Sequence, residues 1–299
     1  MANGKLQPPS STAGSPQPAP PARRPAWQPF TPGGVAAFAR ATLSRLLLVE
    51  GIVAGLATGV MLWFVATAWF PIVREGIRKL PEQGVIRKGE LNAPRLTSGL
   101  LAEGPFLAMS VGLERRGGAS STADVRVEFR PRECLVCSLL GCLVLDYPKN
   151  WIIEFNRTEL EPWWGAWEPV LLAMTALLLE GGLLLLWALM ATLCCWVPRA
   201  VAFFADRELR WAGSWRIASA AMLPGALVMT LAVLLYGAGV LDLIRFGIVA
   251  ALHLVAGWVY LILSPLSLGK ARVAERREVN PFAAKQRAAL GEEGTKDDG

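Results

Sequence analysis

Four stretches of this chain run for more than twenty residues with almost no charge, and they restrict its fold more than any other feature. They cover about residues 46–73, 169–196, 217–241 and 243–265. A bilayer hydrocarbon core of about 30 Å is crossed by roughly 20 apolar residues in a helix. Each stretch meets that length. Between the first two lies a segment, residues 74–167, that is densely charged from Arg74 to Arg157. Spans separated by one wet domain explain this uneven charge, and the positive mean hydropathy of +0.39 agrees. The expected fold is an α-helical membrane protein of four transmembrane helices, with a small β-rich domain inserted between helices one and two.

The flanks of the spans set an expected orientation. Arg40 and Arg45 precede the first. Arg199, Arg207, Arg210 and Arg216 lie between the second and third, and Lys270, Arg272, Arg276 and Arg277 follow the fourth. The short turn between spans three and four offers only Arg245. Basic residues favour the cytoplasmic side, which places both termini inside and residues 74–167 outside, in the plasma (inner) membrane of a bacterial cell. This also accounts for the net charge of +6 and pI near 9.3 without a nucleic-acid partner. The expected partners are the lipid bilayer and a second copy or another membrane protein.

Residues 1–40 are read as a disordered cytoplasmic tail, since the run PPSSTAGSPQPAPPARRP cannot bury enough apolar surface to offset the entropy of ordering. Such a tail acts as a tether or a PxxP ligand. Residues 266–299 form the second cytoplasmic tail. Ala66-Thr67-Ala68 has the small-residue pattern of a cleavage site, but the apolar stretch is too long and too far into the chain for a signal peptide. Residues 198–215 mix Phe203, Phe204 and Trp211 with arginines, as in a helix lying in the interface. Pro224 falls inside span three and is expected to kink it.

The middle domain reads as β. Residues 85–91 suggest a tight hairpin, and residues 124–129 alternate strictly between polar and apolar. Further strands are expected within residues 106–114, 134–137, 143–145 and 151–155, forming a small antiparallel sheet or sandwich. Trp69 after span one, and Trp163, Trp164 and Trp167 before span two, fit an aromatic belt at the outer interface; a carbohydrate-stacking platform is the rival reading.

Several side chains are candidates for chemistry or assembly. Glu180 and His253 sit near the middle of spans two and four, where ionisable groups are costly and face a bundle interior. Together they would form a midplane ligand or proton site, or a structural hydrogen bond. Glu50 lies about a turn inside span one and reads as reaching the cytoplasmic headgroups. Gly51, Gly55 and Gly59 recur every four residues, a flat stripe for close packing within the bundle or against a partner. Cys134, Cys137 and Cys142 form a C-x2-C-x4-C run. A zinc knuckle lacks its fourth ligand, and a redox C-x-x-C lacks a helix N-terminus, so structural cysteines are expected, either unpaired or with two of the three joined in a disulfide and one thiol left free. No metal or other cofactor is implied, and no phosphate loop, nucleophile elbow or dinucleotide fingerprint occurs.

Leu80-Pro81-Glu82 leading to Ile86-Arg87-Lys88-Gly89-Glu90-Leu91, and Trp215-Arg216-Ile217-Ala218 leading to Met222-Leu223-Pro224, resemble an uncharacterised group of bacterial membrane proteins in the Yip1-like superfamily. Over residues 40–268 the order of parts is similar to theirs. The resemblance implies the same architecture and assigns no catalytic residue. The expected function is non-enzymatic: an outer domain that binds an envelope component or partner protein, on a bundle that anchors it. The alternatives are a small transporter using Glu180 and His253, and an envelope thiol-redox protein using Cys134 and Cys137.

Overall fold

The computed structural model describes residues 28–94, 97–112 and 122–270. Four helical stretches within it are long and apolar enough to cross a membrane: Leu43–Arg78, Arg157–Cys194, Trp211–Gly237 and Leu243–Leu266. A β-sheet domain separates the first from the second.

The chain first forms a short helix, α1 (Pro32–Ala37), and a 3-10 turn, Phe38–Arg40. Thr31 caps α1 by accepting from the Gly34 amide at 3.0 Å, with Pro32 opening the first turn. Val35 and Phe38 are fully buried against the helix bundle, and the Tyr260 hydroxyl donates to the Phe30 carbonyl at 2.6 Å. The expectation of a disordered tail is therefore corrected for residues 32–40, where two apolar side chains fill the core. The rest of that expectation, residues 1–27, lies outside the described residues, as does that for 271–299.

The first long helix comprises α2 (Leu43–Phe64), one π-helical turn (Val65–Trp69) and α3 (Phe70–Arg78). It does not stop at residue 73. At 1.5 Å per residue α2 alone covers about 33 Å, so α3 continues as a stalk beyond the apolar layer. The partner in the stalk is the start of α4 (Arg157–Cys194), which begins twelve residues before the expected residue 169. Asn156 caps it by accepting from the Glu159 amide at 2.9 Å. Arg74 pairs with Glu168, Arg78 with Glu161 at 3.4 Å, and Phe70 meets Trp164 edge-on. These contacts hold the two helices together through Pro162 and Pro169, each of which removes a backbone donor.

At the far end of α4, the segment expected at the interface forms α5 (Trp196–Phe204) and the start of α6 (Trp211–Ala220). Phe203, Phe204 and Trp196 on α5 are exposed, and the Arg199 guanidinium lies 4.4 Å from the Trp211 ring centroid. Span three is a broken helix, α6 followed by α7 (Leu223–Gly237). Pro224 opens a new helix instead of bending one, because its ring disfavours helical geometry just before it and suits a first turn. After a tight turn comes α8 (Leu243–Leu266), capped by Asp242, which accepts from the Arg245 amide at 2.7 Å.

Side by side, the long helices run in the order α4, α2, α7, α8. At the end of the bundle remote from the sheets, Arg207 donates to the Leu268 carbonyl and bridges Lys270, and Arg216 donates to the Ala41 carbonyl at 2.7 Å. Among the described residues, Arg207, Arg216 and Lys270 are thus gathered at one end, where the chain also enters and leaves the bundle.

Among the described residues, the domain between α3 and α4 contains eight strands: β1 (Val85–Arg87), β2 (Glu90–Asn92), β3 (Gly99–Glu103), β4 (Leu107–Val111), β5 (Val125–Phe129), β6 (Glu133–Ser138), β7 (Gly141–Asp146) and β8 (Ile152–Glu154). They form a three-stranded sheet, β2-β1-β8, and a five-stranded sheet, β3-β4-β5-β6-β7. The β1–β2 hairpin turns through Lys88 and Gly89, both at positive φ, the geometry of a two-residue primed turn. An all-antiparallel arrangement is corrected at one place: β4 and β5 run parallel, Leu107 opposite Val125 and Val111 opposite Phe129. The two sheets share a core of Leu80, Ile86, Leu101, Val111, Tyr147 and Phe155.

Candidate functional site

The bundle contains an apolar cavity of about 500 Å³ bounded by α2, α4, α7 and α8. Leu183, Trp187, Met190, Met222, Met229 and Leu261 supply much of its wall, and Thr58, Thr230 and His253 its polar atoms. It lies between α4 and α8, the two ends of the helix row, whose other sides are lined with exposed leucines and valines. Methionine is flexible and adapts to differently shaped apolar guests.

Glu180 and His253 are not joined. Glu180 turns to α2, accepting from the Thr58 hydroxyl at 3.3 Å, with Gly55 beside it. His253 holds its Nδ1 against the Ala250 carbonyl of its own helix, which assigns the proton to that nitrogen. Among the described residues no hydrogen bond or ion pair links the two side chains. Only His253 lines the cavity.

Glu50 departs from its expected place at the headgroups. It is 3% exposed, and the Ser219 hydroxyl of α6 donates to its carboxylate. The break between α6 and α7 follows directly after this contact, in a stretch where Ile217, Ala218, Ser219, Ala220 and Ala221 are fully buried. Small residues allow the backbones to approach that closely.

The glycine stripe on α2 does not serve this packing. A Cβ on Gly51 or Gly59 would meet nothing within 4 Å, and one on Gly55 only the Glu180 carboxylate, at 3.8 Å. Close helix contact occurs instead at Gly225, where a Cβ would lie 2.7 Å from the His253 carbonyl oxygen, and at Gly237 against Trp63 and Phe64. Of the four tryptophans expected in a belt, Trp163 and Trp167 stack on the exposed side of α4. Trp69 and Trp164 turn inward, and their indole nitrogens have no partner among the described residues.

In the sheet domain a disulfide joins Cys137 to Cys142, opposite one another in the β6–β7 register. Cys134 is free. Strand side chains alternate in direction, so residues 134 and 137 project from opposite faces of β6 and cannot pair. The Cys134–Cys137 couple of the thiol-redox reading is corrected on this geometry. Cys134 instead packs beside Phe129 and Ile153 against the domain core, and burial pushes its thiol above the usual range.

That inner face of the five-stranded sheet is only partly covered. Cross-strand neighbours share a face, so Met109, Val127, Val136 and Leu143 form one row, and Val111, Phe129, Cys134 and Leu145 the next. The small sheet and α3 cover the β3–β4 end, where Met109 abuts Gly76. At the other end the rows run into the open. Every residue of β7 is exposed, including Leu143, Val144 and Leu145, and Trp151 and Ile152 lie exposed just beyond it. Because β7 is also the last strand of its sheet, one edge of its backbone has no partner strand among the described residues. No signal in the sequence identified β7 as an edge, because the alternation of residues 141–146 is apolar on both faces.

No protein family, curated protein or solved structure matches this chain.

Proposed function

We propose that this is a non-enzymatic protein of the cell envelope, anchored in the plasma membrane by its four helices with both termini cytoplasmic. Its outer sheet domain docks an extended segment of a partner protein along β7. The observation that carries this reading is the wholly exposed, apolar edge strand. Soluble sheets normally protect such edges with charges, proline or a covering element. An added strand would satisfy the free backbone of β7, and its alternate side chains would extend the rows ending at Leu143 and Leu145. The disulfide Cys137–Cys142 fits an oxidising compartment and supports the outward placement of the domain. The positive charges at the opposite end of the bundle support cytoplasmic termini.

A photoreactive residue at Trp151 in intact membranes tests the docking. The expected result is a discrete adduct with another protein that disappears when Leu143 and Leu145 are both changed to lysine. An adduct insensitive to those changes, at unchanged protein level, overturns the reading.

The bundle cavity favours a second reading, a small transporter or transporter subunit whose guest lies against His253. Glu180 would then act through Thr58, which lines the cavity. Replacing Glu180 with Gln removes the charge while keeping an acceptor; unchanged flux of every substrate of the wild-type protein ends that reading.

A further inference from the structure

We propose that the tip of the β6–β7 hairpin, residues 138–141, dips into the outer leaflet of the bilayer, with Leu139 and Leu140 inserted among the lipids. The sheet domain would then touch the membrane at a second place, beside its helical stalk. This rests on the reading that the bundle spans the membrane.

The height of the tip follows from the strand register. Tyr236, in the last turn of α7, donates to the Asp124 carboxylate at 2.5 Å. Its ring packs with Phe64 at the end of α2, Phe246 in the first turn of α8, and Phe106 just before β4. Phe64, Tyr236 and Phe246 therefore mark the outer ends of three spans, and Asp124 sits at that level. From Asp124 the chain enters β5, which climbs away from the bundle. Arg126 lies opposite Cys137 on the descending β6. Asp124 is two residues below Arg126, and Leu139 is two residues below Cys137. At about 3.3 Å per residue both lie roughly 7 Å lower, so the hairpin tip is level with Asp124 and the ends of the helices.

Its lateral position is set by the sheet order. β6 and β7 lie one and two strands outward from β5, and neither packs along a helix among the described residues. The tip thus overhangs the space beside the bundle, which lipid occupies in a membrane.

Its chemistry suits that place. Leu140 is 97% exposed and Leu139 65%, and Leu143 follows them on the exposed edge strand. Residues 138–141 carry no charge. The disulfide closes the hairpin immediately above them, and the Ser138 hydroxyl accepts from the Leu140 amide at 3.3 Å, so the tip turns on itself and holds both leucine side chains out. The Arg126 side chain, exposed and beside Cys137, makes no hydrogen bond or ion pair among the described residues. It stands one short step above the tip, where lipid phosphates lie. A docked protein strand would run along β7, but the tip points past the end of that edge, toward the bilayer.

Photo-cross-linking of the full-length protein in nanodiscs of phosphatidylethanolamine and phosphatidylglycerol tests this. A diazirine residue is placed at Leu140, at Leu177 on the exposed side of α4, or at Trp151 beyond the opposite end of β7, and adducts are identified by mass. The expected result is lipid adducts at Leu140 and Leu177, at least tenfold more abundant than at Trp151. Lipid adducts at Leu177 with Leu140 no higher than Trp151 would overturn the inserted tip and leave the membrane reading standing. Absence of lipid adducts at Leu177 would overturn both. Adducts at Leu140 that join two protein chains in place of lipid would assign the tip to self-association and also overturn the proposal.

Discussion

Replacing Gly225 with alanine should destabilise the bundle, whereas the same change at Gly51 should not. The new methyl at residue 225 would sit 2.7 Å from the His253 carbonyl oxygen of α8, a backbone atom that cannot rotate away. Ordinary carbon–oxygen contacts are about 3.3–3.6 Å, so α7 and α8 must separate locally by roughly 0.6–0.9 Å. A gap of about 0.5–1 Å already forfeits a quarter to a half of the dispersion attraction across an interface. Overpacking of this kind costs about 1–3 kcal/mol. Gly51 provides the control, because its Cβ would meet nothing within 4 Å and the gain in helix propensity is common to both sites. The difference between the two variants is then about 1–3 kcal/mol, or roughly fivefold to more than a hundredfold in the unfolding equilibrium. Unfolding in mixed micelles with increasing SDS, followed by tryptophan fluorescence, measures it. Equal stability of the two variants, or greater damage at Gly51, would refute the assignment of the close helix contact to Gly225.

Ser219→Ala leaves the buried Glu50 carboxyl without its donor and should cost about 1–3 kcal/mol in the same unfolding assay; a loss below a few tenths would show that the contact is not formed. In the folded protein the Cys134 thiol should react with maleimide more slowly than an exposed thiol. Burial raises its pKa and keeps the thiolate fraction low, so the rate should climb with pH to a midpoint higher than that of an exposed cysteine in the same protein. A midpoint at or below that of the exposed cysteine would place Cys134 outside the core. Cys137 and Cys142 should stay unlabelled until a reductant is added.

The four long helices were legible because a run of apolar residues has only one way to satisfy its backbone in lipid. The stalk was not. Residues 74–78 and 157–168 are too polar to read as membrane helix, and their helicity depends on pairs such as Arg78 with Glu161 that lie far apart in sequence. Pro224 gave warning of a break, but whether proline bends a helix or starts one is decided by the turn at Ala221 and Met222. Residues 32–40 misled because proline and glycine read as loop, while the burial of Val35 and Phe38 is a tertiary fact. Among the sites, Glu50 was misplaced for a similar reason: its partner Ser219 is 169 residues away. The hairpins of the sheet domain were visible in turn chemistry and alternation. The parallel pairing of β4 with β5 was not, since strand direction leaves no mark on residue type. The C-x2-C-x4-C run leaves open whether any two of its cysteines pair; only the β6–β7 register puts Cys137 and Cys142 opposite each other.

A bundle that crosses the bilayer puts the sheet domain on the far side from both chain ends. Single cysteines at Lys149, in the turn after β7, and at Phe204, at the end of α5, test it directly in a background with Cys134, Cys194 and Cys195 changed to serine. An impermeant maleimide applied to cells stripped of any outer barrier, their plasma membrane intact, should label Lys149→Cys at once and Phe204→Cys only after the membrane is opened. Equal labelling of both before opening, or the reverse order, would contradict the account.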